Sequence, residues 1–362
     1  MKVVYLSPVP WSSMSQRPHF FIQHVLHAGI KEVFWINPYP GRLPGFQDFI
    51  PGRHAHEPAS KLELTNLTVI SLKPVFPIEP FHQAFKFVNH KSLKDIINKI
   101  SDFKDDETLL IIGKPSLLGI ELIKLFHWKS VLFDAMDNYP AFFSGYSSSS
   151  MSKIEERIAQ AADFIVCSSH PLAIKFSRFK TKVQLCLNAC TSDFIMRRER
   201  ISTLAAQSYT LGYVGTIAAW FDWQWLINLA TLYPQNKFRI VGPIKTLKPG
   251  NLPLNIILEK AISHDQVPAF LREIDIGLIP FRDNAITHYV DPIKFYEYQA
   301  AGLPVLSSEF GEMKWHLGEK EKLNEQCPFS LPSNALYFGS NHIQPITWDM
   351  RFAELFKTML IK

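Results

Sequence analysis

No run of ~18 or more apolar residues occurs in this 362-residue chain, so no membrane-spanning helix is predicted. The apolar residues come in short runs such as Leu109-Leu110-Ile111-Ile112, and Met1–Pro8 lacks the apolar core and small-residue cleavage site of a signal peptide. Cysteine is scarce: Cys167, Cys186, Cys190 and Cys327 form no CxxC pair and no disulfide-framework spacing, and read as reduced, packed thiols of a cytosolic protein. Excess charge is small as well. Thirty-eight Lys and Arg against 33 Asp and Glu give a net +5, which weakly favours anionic ligands or membrane surfaces and does not indicate nucleic acid. There is no Walker A loop, no GxSxG elbow and no HExxH. His54, His56 and Glu57 lie together in a Pro/Gly-rich loop but have no second cluster at ligand spacing, so no metal site is expected.

What is present is a large apolar fraction, 47%, with 20% charged residues, enough for sizeable cores; at ~150 residues per domain the length suggests two. Short apolar runs alternate with amphipathic helical stretches: strand Val3–Leu6, helix Pro18–Ala28, strands Glu32–Ile36 and Leu67–Leu72, a helical stretch Phe81–Ile100, strand Leu109–Ile112. The pattern continues through helix Leu117–Phe126, strand Ser130–Phe133, helix Ser152–Ala162, strand Phe164–Cys167, helix Pro171–Phe179 and strand Lys182–Leu187. Single helices between strands imply parallel βαβ units. The polar stretch Arg197–Ser208 breaks the rhythm, which restarts at Leu211–Val214 and runs to Pro304–Ser307, before an isolated amphipathic helix over Trp348–Leu360. The expected fold class is α/β, with two doubly wound parallel-sheet domains facing a cleft, since ligands of such sheets sit outside the carboxyl ends of the strands. The expected organisation is a first domain over 1–195, a linker over 196–209, a second domain over 210–345, and a last helix over 346–362 that crosses back. Leu187-Asn188-Ala189-Cys190 reads as the end of the first domain.

The most informative segment is Tyr289–Val305. Asp291 suits an N-cap and Pro292 the N1 position, while Gly302 and Pro304 stop the helix. The N-terminus of that helix is a natural seat for a phosphate. Lys294 in the first turn adds positive charge, and Glu297, one turn deeper on the same face, can accept two hydrogen bonds from a ribose diol. The plain alternative is an i,i+3 surface pair worth a few tenths of a kcal/mol.

For acid–base work the best placed residues follow the strand ending near Phe133. Asp137 is the candidate general base, Asp134 being nearer the strand and structural; the alternative for Asp137 is a turn residue ahead of Pro140. His19, at the start of the first helix, is the rival base, because a helix N-terminus favours its neutral form. Arg17 could pair with a pyrophosphate or an acidic sugar.

Asp291–Val305 resembles the donor-binding helix of GT-B glycosyltransferases in the broad family-4-like group, whose bacterial polysaccharide branch has a segment similar to DPxKxYEYxAAGxPV. Trp11–His19 is similar to that group's W…RPxH loop, which makes Trp11 and Arg17 acceptor or phosphate candidates. Leu211–Ile217 with Trp220–Trp223 resembles the start of its donor domain, placing Gly215 and Thr216 at the diphosphate. Phe238–Pro243, with Gly242 and Pro243, and Ile276–Phe281 match the next donor-domain strand ends. The resemblance implies that Glu297 holds the donor ribose and Lys294 lies near the phosphates. The group's fuller pattern has a second glutamate eight positions upstream, where this chain has Tyr289; Asn284, Thr287 or Asp291 are the candidates to replace it.

The resemblance implies a metal-independent, hexosyltransferase-like enzyme with no cofactor. Its donor would be a UDP- or GDP-sugar and its acceptor a saccharide, lipid-linked in surface polysaccharide assembly. The alternatives are a GT-B sugar-nucleotide epimerase or hydrolase, and a non-catalytic GT-B protein that binds sugar or stabilises a partner. Inversion and retention both stay open. The expected setting is cytoplasmic, peripheral on the inner membrane face, with Trp11, Phe46, Phe142, Phe143 and Tyr146 as aromatics able to meet an anionic surface.

Overall fold

The computed structural model describes residues 1–13, 15–44, 64–72, 75–179, 182–196, 208–317, 327–328, 330–340 and 342–359. The chain divides into two compact units, Met1–Leu187 with Phe352–Lys362, and Asn188–Arg351. Most of the expected 196–209 linker, as well as Phe46, His54, His56 and Glu57, lies outside the described residues.

In the first unit the order is β1 (Lys2–Leu6), α1 (Arg17–His27), β2 (Glu32–Ile36), β3 (Leu67–Ile70), α2 (His82–Val88), α3 (His90–Phe103) and β4 (Thr108–Ile112). Then come α4 (Leu117–Leu125), β5 (Ser130–Ala135), α5 (Gly145–Ala161), β6 (Phe164–Cys167), α6 (His170–Phe176) and β7 (Lys182–Leu185). The seven strands pair in the order β3-β2-β1-β4-β5-β6-β7, every pair parallel. Central strands of such sheets are covered on both faces and lose the polar alternation; β4, with sequence TLLII, is buried at all five positions.

The second unit holds β8 (Thr210–Val214), α7 (Trp223–Leu232), β9 (Lys237–Val241), β10 (Ile256–Glu259), α8 (Val267–Arg272), β11 (Ile276–Ile279) and α9 (Ile293–Ala300). These are followed by β12 (Val305–Ser308), α10 (Met313–His316) and β13 (Ala335–Phe338). The strand order is β10-β9-β8-β11-β12-β13, parallel except for β13, which joins β12 antiparallel and which no βαβ rhythm announces. The last helix, α11 (Trp348–Met359), packs on α1 as expected: Phe21 meets Phe352 edge-on at 5.2 Å and stacks on Phe356 at 5.7 Å.

Small polar residues start several helices by accepting from orphan amides: Ser116 from the Gly119 N–H, Ser169 from Leu172, and Asp222 from Trp225. Two expectations shift. The stretch from Phe81 breaks at Asn89, whose amide both accepts from the Phe76 N–H and donates to the Phe76 carbonyl, dividing α2 from α3. And α5 begins at Gly145 rather than Ser152, because Ser147 and Ser148, polar in sequence, are tied to the Leu43 N–H and the Pro140 carbonyl.

Candidate active site

At the carboxyl end of the second unit's sheet, the strands β8 and β9 continue their pairing past their last residues. The Gly215 N–H donates to the Val241 carbonyl at 2.9 Å, and the Ile217 N–H to Pro243 at 2.9 Å. Gly215 and Gly242 both have positive φ, +149° and +143°. A Cβ on Gly242 would stand 2.0 Å from the Gly215 oxygen, and one on Gly215 would stand 2.7 Å from Lys294 Nζ. The structure thus brings Gly215, Thr216, Gly242, Pro243 and Lys294 together. The Gly215 amide is consumed by strand pairing, whereas among the described residues the neighbouring Thr216 N–H has no protein acceptor.

Lys294 and Glu297 stand on the first turn and a half of α9. Both are half-buried, and neither makes a hydrogen bond or ion pair among the described residues. Lys294 Nζ lies 5.6 Å from the Tyr213 ring centroid. Burial lowers the Lys294 pKa against the opposing pull of Glu297; burial raises Glu297 against the pull of Lys294 and His264. Two half-buried opposite charges that make no hydrogen bond or ion pair among the described residues have the chemistry to meet an anionic group and hydroxyl donors. Among the described residues the Ile293 and Lys294 amides at the helix start have no backbone acceptor either, adding donors where the dipole is positive.

The helix start differs from expectation by one residue. Pro292, in extended conformation, occupies the cap position and Asp291 does not cap. The reason is competition for its carboxylate, which is buried. Asp291 accepts from the Asn188 N–H at 2.7 Å and the Tyr296 hydroxyl at 2.8 Å, and lies 3.0 Å from His316 Nε2. Asp291 is therefore an internal anchor of the α9 start. Of the other candidates to replace the absent glutamate, Thr287 is buried with its hydroxyl donating to the Arg282 carbonyl. Asn284 is half-buried, and its side-chain oxygen accepts from the Ile286 and Thr287 amides. Of these three, only Asn284 presents a side chain that is not buried.

In the first unit, β5 carries Asp134 and releases Met136-Asp137-Asn138 at its carboxyl end. Asp134 is buried against Arg17, with Arg17 Nη2 3.3 Å from Oδ1 and the Tyr5 hydroxyl donating to Oδ2 at 3.4 Å. Burial pushes Asp134 up, and Arg17 and Tyr5 draw it back. Asp137 is different: half-buried, with no hydrogen bond or ion pair among the described residues, its pKa pushed up to about 7 by burial and then by the Asp134 charge. A carboxyl poised near neutral pH has the protonation equilibrium that proton transfer needs.

The rivals are placed otherwise. Arg17 is 4% exposed and also donates to the Cys186 carbonyl at 2.8 Å, so its guanidinium is committed to protein groups and not offered to a phosphate. His19 is buried between Trp11 and Trp35; Nδ1 accepts from the Gln16 N–H at 3.2 Å, leaving the proton on Nε2, 3.1 Å from the Trp11 carbonyl. Burial lowers its pKa, as a base needs, but both ring nitrogens are occupied by the 11–16 loop. Trp11 is half-buried, its ring edge-on to Trp35 at 4.9 Å.

The sequence reading missed Lys175 and Glu155, a buried ion pair at 2.5 Å behind the Asp137 loop. The available signal was a carboxylate inside the apolar stripe Met151, Ile154, Ile158 of α5. Among the described residues, no group of three or more His, Cys, Asp or Glu is arranged to hold a metal ion. Cys167, Cys186 and Cys190 are buried and Cys327 is half-buried, all as free thiols.

No protein-family model matches the chain. It is 28% identical over 208 residues to a Bacillus subtilis (strain 168) protein, TuaH, provisionally named a teichuronic acid biosynthesis glycosyltransferase. The match covers 52% of this chain and 52% of that one, so the chain spans about half the length of this curated relative. Among solved structures it is similar to an E. coli trehalose-6-phosphate protein bound with UDP-2-fluoro glucose, at TM-score 0.52 and 13% identity over 88% of this chain and 86% of that one. It is also similar to WaaG, a glycosyltransferase involved in lipopolysaccharide biosynthesis, at 0.52 and 12% identity over 86% and 82%. WaaB, a lipopolysaccharide outer core galactosyltransferase, matches at 0.52 and 10% identity over 90% and 84%. At such identities the likeness speaks for the fold. With the two doubly wound sheets and a last helix that returns to α1, it establishes that this chain has the GT-B fold and is a distant relative of TuaH.

Proposed function

We propose that the protein is a glycosyltransferase that moves a hexose from a UDP- or GDP-sugar to an acceptor hydroxyl. The observation that carries this reading is Lys294 and Glu297, opposite charges that make no hydrogen bond or ion pair among the described residues, beside the Gly215–Gly242 contact. There the diphosphate meets the Lys294 ammonium, the Thr216 amide and the first amides of α9, and the ribose diol donates to Glu297. In the reaction the bond from the anomeric carbon to the phosphate oxygen breaks, and the nucleoside diphosphate leaves with the electron pair. The acceptor oxygen bonds to that carbon and its proton passes to the Asp137 carboxylate. Positive charge at the phosphates stabilises the leaving group where charge develops.

The acceptor in this reading is a saccharide carried on lipid during surface polysaccharide assembly, met at an anionic membrane face. The role named for TuaH, 28% identical over 208 residues, supports the pathway class, and exposed aromatics beside basic residues in the first unit support the surface. Phe142 and Tyr146 are exposed as expected, whereas Trp11 and Phe143 are half-buried.

Nucleotide release measured with a panel of UDP- and GDP-sugars, with and without saccharide acceptors, tests the function. Release that requires acceptor supports transfer. Release without acceptor, or interconversion of the donor sugar, points to a hydrolase or epimerase, and no nucleotide binding at millimolar concentration points to a non-catalytic sugar-binding protein.

A further inference from the structure

Among the described residues Asp137 has no hydrogen-bond partner of its own, yet both of its neighbours in the chain are tied down. Ser168, at the end of β6, donates its hydroxyl to the Met136 carbonyl at 2.9 Å. Lys175, in the last turn of α6, donates to the Asn138 side-chain oxygen at 2.8 Å. The Lys175 ammonium is in turn held by Glu155 of α5 at 2.5 Å, with side chains 18% and 4% exposed. A surface Lys–Glu pair would contribute little and hold nothing in place. This one is taken out of water, and its remaining donor capacity is aimed at the residue after the candidate base.

We propose that Lys175, oriented by Glu155, is a positioning residue: through Asn138 it fixes the loop that presents the Asp137 carboxyl to the acceptor hydroxyl. The inference rests on the reading of Asp137 as general base. A cation placed one residue away, and bonded to a neighbour's amide, orients the base without neutralising it. Asp137 makes no hydrogen bond or ion pair among the described residues and is open to take a proton, while the Met136 carbonyl before it and the Asn138 side chain after it are held. The titratable groups that face Asp137 are Asp134 of its own strand and the Tyr139 hydroxyl, and the Lys175 ammonium is bonded to the residue that follows. Asn138→Ala, which keeps the Lys175 charge in place, separates movement of the loop from loss of a charge. Misplacing a reacting group by about 1 Å can lower a rate by about 10²-fold.

The test compares Lys175→Met, Lys175→Arg, Asn138→Ala and Asp137→Asn in the full chain. Steady-state transfer from whichever UDP- or GDP-sugar is turned over is measured across pH, and the Asp137 carboxyl is titrated by carbon-13 NMR. Lys175→Met is expected to lower kcat about 10- to 100-fold with donor KM nearly unchanged, and to bring the Asp137 pKa down as the loop meets water. Lys175→Arg should restore part of kcat. Asn138→Ala, which leaves the buried Lys175–Glu155 pair intact and so spares folding, should reproduce the loss, and the double variant should be no worse than either single one. Wild-type kcat and an unmoved Asp137 titration in Asn138→Ala and in folded Lys175→Met, with Asp137→Asn impaired, overturn the positioning role alone. An Asp137→Asn variant as active as wild type overturns the base reading and this inference with it.

Discussion

The Cβ that Gly242 lacks would lie 2.0 Å from the carbonyl oxygen of Gly215, closer than any side-chain atom can come. Backbone meets backbone where β8 and β9 end, and the same Gly215 leaves space that Lys294 Nζ fills. Both glycines also sit at positive φ, a region that L side chains rarely adopt. Gly242→Ala is therefore expected to destabilise the second unit by about 2 kcal/mol or more, from overpacking and backbone strain together. Gly250→Ala is the control, because nothing lies within 4 Å of its Cβ position; it should stay within about 0.5 kcal/mol of wild type. Urea denaturation of the two variants makes the comparison.

Lys294 and the nucleotide can be separated by what each variant loses. An ionic hydrogen bond contributes about 1.5–3 kcal/mol, so Lys294→Met should weaken UDP or GDP binding roughly 10- to 100-fold. The parent nucleoside, without phosphates, should bind Lys294→Met as it binds wild type. Glu297→Gln should weaken both nucleotide and nucleoside. Isothermal titration of the four combinations reads the assignment, and a Lys294→Met variant with unchanged UDP and GDP affinity rejects it.

Much of this arrangement was legible in the sequence, and the exceptions have physical causes. Strands such as Val3–Leu6 and Leu109–Ile112 lie close to where apolar runs put them, because central parallel strands are apolar throughout. The antiparallel β13 was not, since it lies outside the strand–helix alternation that announces the parallel strands. That Lys294 and Glu297 share a face of one short helix was visible in their spacing, whereas their proposed roles came from the resemblance of Asp291–Val305 to a donor-binding helix. Asp291 misled because cap propensity describes a local competition; the buried groups that outbid it, Asn188 and His316, are 103 and 25 positions away. Arg17 misled likewise: its partner Asp134 is 117 positions distant, so the pair that removes it from substrate duty exists only once α1 and β5 pack.

Arg17 and Asp134 make a prediction about folding. Both side chains are almost entirely buried, 4% and 2% exposed, and removing one leaves the other charge uncompensated. Arg17→Met is expected to cost about 3–5 kcal/mol, and the double variant Arg17→Met/Asp134→Leu to recover most of it. UDP and GDP affinity of folded Arg17→Met should equal wild type. A large loss of nucleotide affinity without loss of stability would return Arg17 to the phosphate role.

For Asp137 the sign of the pH dependence follows from its raised pKa of about 7 against an ordinary carboxyl near 3.8. Between those values the folded chain holds a proton that the unfolded chain has released. Stability should therefore fall as pH rises from about 4 to about 7, and the dependence should end above that range. Asp137→Asn should flatten this segment of the profile and be the more stable protein at pH 8. Activity runs the other way, because a base must be ionised: turnover should climb through pH 7, and Asp137→Asn should abolish the climb along with most of kcat. His19→Gln, by contrast, should lower stability through loss of its bonds to the 11–16 loop and keep the limb near 7. Thermal melts and pH–rate profiles of the two variants separate them.

The last prediction concerns the membrane face. Among the described residues no helix is long and apolar enough to cross a bilayer, so contact with lipid has to be made by a surface. In the first unit Phe81 and Tyr146 stack on each other at 5.5 Å with 49% and 56% of their surface exposed, and Phe87 on the same helix as Lys86 is 84% exposed. Aromatic rings of this kind favour the boundary between water and acyl chains. Basic residues lie near them, with Lys86 paired to Glu121 at 2.8 Å. His82, next to Phe81, has its pKa lowered by burial and then by Arg157, Lys86 and Lys153, which places three cations around one imidazole. Basic groups near an anionic surface contribute about 1 kcal/mol each, so Lys153 and Arg157 with these aromatics are expected to give reversible docking. Co-sedimentation with phosphatidylglycerol-containing vesicles should occur at low salt, decline as salt rises, and be absent with phosphatidylcholine alone. Lys153→Glu/Arg157→Glu should abolish it, and Phe81→Ser/Tyr146→Ser should weaken it while leaving the salt dependence in place. Failure to bind anionic vesicles at low salt would remove the membrane from the reading and leave a soluble saccharide as acceptor.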